Sequence, residues 1–215
     1  MKQLQSTVLS SMVMLAKVVI VLGLLSAFSV DATQLRKQNL TQLIDQSNSI
    51  IHGTVTAVSD GISEKGIPYT EVTISVADSA KGKVKKDSDY TFRQFGLLKP
   101  REMDNGKKLL AVAPEGFPRW HKDETVVAFL YKPASKTGFQ TTVGLAQGKL
   151  AMVNGKLSNQ FNNIGLFDGV NVDQALLTSE ESNMLTLEGA VDAGTFMNLV
   201  NRAVSEGWIE NGEMK

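Results

Sequence analysis

Apolar and polar residues alternate with a period of two along several short stretches of this chain, the mark of half-buried strands. In Ser49–Val58, Ile51, Val55 and Ala57 share one face while His52, Thr54 and Thr56 share the other. Tyr69–Val76 repeats the pattern, with Val72, Ile74 and Val76 opposite Glu71, Thr73 and Ser75. A third strand is expected over Asp89–Phe95, where Tyr90, Phe92 and Gln94 alternate with Thr91, Arg93 and Phe95. Thr125–Tyr131 is apolar on both faces, which predicts a central strand covered on each side. Gly138–Leu145 and Gly148–Val153 read as further strands, and Asn154-Gly155 predicts a type I′ hairpin turn before Lys156-Leu157-Ser158.

Two segments change to a helical period. Leu40, Leu43 and Ile44 fall at i, i+3 and i+4, with Asn39 as N-cap and Gln42 three residues on, so a short helix leads into the first strand. Phe196, Leu199, Val200, Ala203 and Val204 form an apolar stripe behind an Asp192 cap, predicting a C-terminal amphipathic helix that ends near Gly207. The expected architecture is mainly β: a small antiparallel barrel with a short N-terminal helix and a C-terminal amphipathic helix. Between strands, Ser59–Pro68 reads as a hairpin loop and the lysine-rich Ala80–Lys86 as a solvated turn. Residues 97–124 form a long irregular insertion with three of the five prolines, and 159–188 is poorly patterned.

The N-terminus alters this picture. Lys2 and Lys17 precede the apolar run Val18–Phe28, and Val30-Asp31-Ala32 offers a small-residue cleavage site, so residues 1–32 read as a secretory signal peptide. An uncleaved anchor is the competing reading, but Lys17 leaves the apolar run short of the roughly 20 residues that span a bilayer. Residues 33–215 then form a single domain, periplasmic or secreted, with no stable membrane insertion after processing. The absence of cysteine excludes disulfides and thiolate metal sites, so the fold relies on burial and hydrogen bonding. Twenty-two basic residues balance 22 acidic ones, which leaves no global field to attract nucleic acid.

In order along the chain, Leu43-Ile44 before Ile50–Val55, Tyr69–Ile74, Ala80-Lys81-Gly82, Phe117-Pro118 before Glu124–Leu130, and Val143–Lys149 resemble an exported bacterial protein family of unknown function. The match covers most of residues 33–215. The resemblance implies a small OB-like antiparallel β-barrel, distantly similar to netrin and metalloprotease-inhibitor modules. It transfers no catalytic residue, and a fold-level likeness transmits no function. Family members carry paired glycines after the third strand, where this chain has Gly96-Leu97.

Candidate chemistry is sparse. The two histidines, His52 and His121, fall short of the three or four ligands of a zinc site, which Asp123 and Glu124 beside His121 would have to complete. Asp168–Asp173 lacks EF-hand spacing and reads as a turn. There is no Gly-x-Ser-x-Gly elbow and no phosphate-binding loop ahead of a helix, so no catalytic residue, metal or cofactor is assigned. The insertion ends in Phe117, Pro118, Arg119, Trp120 and His121, and exposed aromatic and arginine side chains are those that anchor interfaces. Phe117, Arg119, Trp120 and His121 are therefore the candidate binding residues, although Phe117 and Trp120 could instead fold back to cap the barrel end. The leading expectation is a non-enzymatic module that binds a protein or small molecule through the 97–124 loop. The alternative is a hydrolase or metal-dependent enzyme centred on His121, and the netrin-like analogy adds a protease inhibitor.

Overall fold

Asn39 starts the first helix by a capping box: its side chain accepts from the Gln42 N–H, and the Gln42 side chain accepts from the Asn39 N–H. Helix α1 (Leu40–Gln46) buries Leu40, Leu43 and Ile44, as the spacing predicts. The computed structural model describes residues 36–215, so the signal-peptide reading of 1–32 lies outside the described residues. Among the described residues no helix is long and apolar enough to cross a membrane.

Strands β1 (Ser49–Ile62), β2 (Pro68–Lys81) and β3 (Asp89–Phe95) form an antiparallel meander, each where alternation predicts one. The first two run longer than expected, so the hairpin loop narrows to 63–67 and the lysine-rich turn begins after Lys81. Three register irregularities in β1 break its simple two-faced pattern. Ile50 and Ile51 alternate onto different cores, whereas Ala57, expected inward, is exposed beyond the irregularity between Val55 and Ala57.

The insertion after Gly96 contains a small hairpin, β4 (Arg101–Glu102) with β5 (Lys108–Leu109), which period-2 reasoning misses because two-residue strands carry no period. Then β6 (Thr125–Leu130) pairs with β1 on one side and with β7 (Lys149–Val153) on the other, and Val126 to Leu130 are fully buried. This is the central strand that its two apolar faces predict. Asn154 and Gly155 both take positive φ, 50° and 75°, and turn β7 into β8 (Lys156–Ser158). The short β9 (Val191–Asp192) closes the row. Asp192 caps α3 (Ala193–Ser205) by accepting from the Thr195 N–H, and Gly207 follows with φ 70°. Within the poorly patterned region a six-residue helix, α2 (Ser179–Met184), packs against α3.

The sheet has seven antiparallel strands in the order β3-β2-β1-β6-β7-β8-β9 and is not closed into a barrel. Nor is 138–145 a strand, and the reason is local. Gly144 and Leu145 adopt left-handed φ of 61° and 55° and turn into a single 3-10 turn at Leu145–Gly148, leaving one bridge, Leu130 to Thr142. Among the described residues a backbone hydrogen bond from Gln140 to Arg93 is the sole backbone link from that segment to the β3 edge.

Two cores result. On one face α1, α3, Trp208 and Met214 cover Ile50, Val127, Phe129, Leu150 and Leu157. On the other, Ile51, Val55, Val72, Ile74, Phe92, Val126 and Ala128 pack together under Trp120. The second core brings the insertion's end onto the sheet.

Candidate functional site

The segment Pro118–Lys122 crosses from the insertion to β6 and is pinned from beneath at two points. Trp120 is 4% exposed, its ring set edge-on to Phe92 with centroids 5.3 Å apart. Its Nε1–H donates to Gln94 Oε1 at 3.0 Å, and Gln94 Nε2 donates to the Pro118 carbonyl at 3.1 Å. Gln94 lies in the inward row of β3 at 2% exposure, and a buried amide must find partners because leaving it unpaired costs about 1–3 kcal/mol.

The second pin is ionic. Lys149 Nζ sits 2.6 Å from Glu124 Oε1, donates to the Arg119 carbonyl at 2.5 Å and lies 5.1 Å from the Trp120 ring centroid. Burial lowers the Lys149 pKa, opposed by the Glu124 carboxylate. The same Glu124 oxygen accepts from the His121 N–H at 2.7 Å. Asp123 takes φ 67° and its N–H donates to the Val55 carbonyl, which seats the turn on β1.

With its interior fixed, the segment forms a ridge between two clefts. One, of about 560 Å³, lies between the insertion and the sheet. Its walls are Val58, Leu97, Leu98, Val112, Ala113 and Trp120, with Thr70 and Gln94 below and Arg119, His121 and Lys122 along one side. Both buried polar side chains in the floor already have partners, since the Thr70 hydroxyl donates to the Gly96 carbonyl at 2.7 Å. Leu98 and Val112 remain 50% and 39% exposed, so the walls present apolar surface to solvent. The other cleft, of about 500 Å³, includes the charged and polar side chains of Glu124, Lys149, Ser158 and Asn159 beside Arg119 and His121.

Of the four residues singled out by the sequence, Arg119 and His121 are exposed and line both clefts. Trp120 faces inward and caps the second core while its ring contributes to the apolar cleft. Phe117 is half-buried and lines neither cleft. His52 lies elsewhere: it pairs with Asp78 and Val127 in the ladders, lines neither cleft, and its buried Nε2 has no partner among the described residues. The Glu124 carboxylate that might have joined His121 in a metal or acid-base site is engaged by Lys149 and by the His121 N–H. Among the described residues no group of three or more His, Asp or Glu side chains is placed to hold a metal ion.

Sequence reasoning missed Gln94 and Lys149 as parts of this site. Each had a signal: Gln94 is a polar residue in an inward row, and Lys149 directly precedes Leu150 on a strand beside the central β6. No family model matches the chain, and neither a curated protein nor a solved structure matches it.

Proposed function

We propose that the protein is a non-enzymatic binding module whose recognition site is the apolar cleft between the 97–124 insertion and the sheet. One observation carries this reading: a concave apolar wall, Leu98 and Val112, stays open to solvent above a floor whose polar groups are already satisfied. Ligand sites have this composition, apolar surface with a few polar groups at the margin. The seven-residue strand β3 and the Pro118–Lys122 ridge make the cleft rigid from below, which favours recognition over a mobile lid.

The proposal extends to the frame. We read β1, β2, β3 and β6 together with 139–143 as an OB-like barrel left partly open, supported by the Gln140 to Arg93 hydrogen bond across the gap. Membership of the exported bacterial family, with a periplasmic or secreted location, is part of the same reading and is supported by the N-terminal charge and apolar pattern.

A thermal-shift screen against a mixed library of organic acids, bases and neutral amphiphiles tests the site. Compounds that raise the melting temperature of residues 33–215 should lose that effect in the Leu98→Asp/Val112→Asp variant. Stabilisation that persists in the variant would place recognition elsewhere.

A further inference from the structure

We propose that the ligand of the apolar cleft is an amphiphilic anion, a molecule with a linear or compact apolar body and a single carboxylate or phosphate head. The inference rests on the binding reading above and deepens it. Its ground is the sign of the charges along the cleft. Arg119, His121 and Lys122 line one side, and among the described residues no carboxylate lines the cleft.

The nearby acids are accounted for. Asp60 approaches the cleft by accepting from the Leu98 N–H, and its other oxygen is paired with Arg101 at 2.5 Å. Glu124 is paired with Lys149 at 2.6 Å, and Asp123 follows the ridge without lining the cleft. Among the described residues neither Arg119 nor Lys122 is engaged in an ion pair, and both are exposed. A chain with no net charge thus presents, at this cleft, cations without counter-charges beside Leu98, Val112 and Val58.

An anionic head set against Arg119 and Lys122 would place an attached chain along those apolar walls. A neutral amphiphile would bury the same chain and leave the cations with water. A polar anion would gain the charge and forgo the walls. The volume of about 560 Å³ falls in the range of small-molecule sites.

The test is isothermal titration of the protein with dodecanoate and dodecyl phosphate below their micellar concentrations and with dodecanol below its solubility limit. Either anion should bind about tenfold or more tightly than the alcohol, the equivalent of one charge-assisted contact, and the advantage should shrink at high salt. The two anions distinguish a carboxylate from a phosphate head. Arg119→Glu/Lys122→Glu should remove the preference for the anions over dodecanol, and Leu98→Asp should weaken all three.

Equal affinity for dodecanol and dodecanoate would overturn the charge assignment and leave the cleft standing. Binding indifferent to both sets of substitutions would overturn the cleft itself. Failure of all three amphiphiles to bind a folded chain would overturn the ligand class. Circular dichroism melts of each variant separate lost affinity from lost fold.

Discussion

Gln94 and Trp120, 26 positions apart, are joined by a buried hydrogen bond of 3.0 Å that fixes the end of a long insertion onto the third strand. The other end of the same amide holds the Pro118 carbonyl. One side chain thereby spans the floor of the apolar cleft and the ridge beside it. A terminal amide suits the position because it accepts at its oxygen and donates from its nitrogen at the same time.

Gln94→Leu should therefore cost about 2 kcal/mol, because the Trp120 N–H and Pro118 carbonyl lose their buried partner. Urea denaturation measures it. A wild-type midpoint in the variant would show that the amide is dispensable and that the ridge is held in another way.

Lys149 and Glu124 should behave as a unit. Removing one member, by Lys149→Met or Glu124→Gln, leaves the other charge in a largely buried setting and should cost about 3 kcal/mol. The double variant should recover much of that loss, since desolvating both charges is itself costly, in keeping with the lowered Lys149 pKa. Strictly additive losses in a double-mutant cycle would show that the two charges are independent.

Gly96 turns the chain out of β3 with φ 104°, and a Cβ there would lie 2.3 Å from Ala113 Cα, in the cleft wall. Gly96→Ala should destabilise the protein by more than about 1 kcal/mol and shift the amide resonances of residues 110–113. An unperturbed spectrum would mean that the insertion is not seated against this turn.

His52 gives the fold a pH dependence of predictable sign. Burial lowers its pKa below 6.5, partly countered by Asp78, whose carboxylate also accepts from Asn201 on α3. With the folded value depressed, the unfolded chain binds the proton first. The His52 contribution is thus fully present above pH 6.5 and is lost as pH falls through the folded value. Stability should drop by at most about 1.4 kcal/mol per pH unit in that window. His52→Gln should flatten that component of the curve, and an identical pH profile in the variant would contradict it.

The strands and helices with a strong period were legible because one residue in two, or one in three to four, meets a core. β3 falls at Asp89–Phe95 as its alternation predicts, and the α3 stripe lies against the first core, with Val204 half-buried at its edge. The Asn154-Gly155 turn was legible because few residue pairs accept two positive φ values. Residues 138–145 were not, since their alternation is real but the left-handed turn at Gly144 and Leu145 cuts the ladder to one bridge. That the sheet is not closed into a barrel has a related reason. On the side away from β1, β6 pairs first with β7, and the sheet continues through β8 and β9 instead of returning to β3.

Of the site, Arg119 and His121 were found from composition because exposed arginine and aromatic-rich ends of insertions draw attention without any structure. The links from Gln94 to Trp120 and from Lys149 to Glu124 join strands far apart in sequence, and no single-chain periodicity encodes such pairings. The exposure of Leu98 and Val112 depends on how the insertion folds back over Gly96, which also lies beyond local pattern.

The two tryptophans supply the most direct test. Trp120 lines the apolar cleft, whereas Trp208 lies in the opposite core under α3. In 19F spectra of the 5-fluorotryptophan protein, assigned with Trp120→Phe, compounds that raise the melting temperature should move the Trp120 resonance and leave Trp208 in place. Movement of Trp208 alone, or of neither resonance at saturating ligand, would contradict recognition at this cleft.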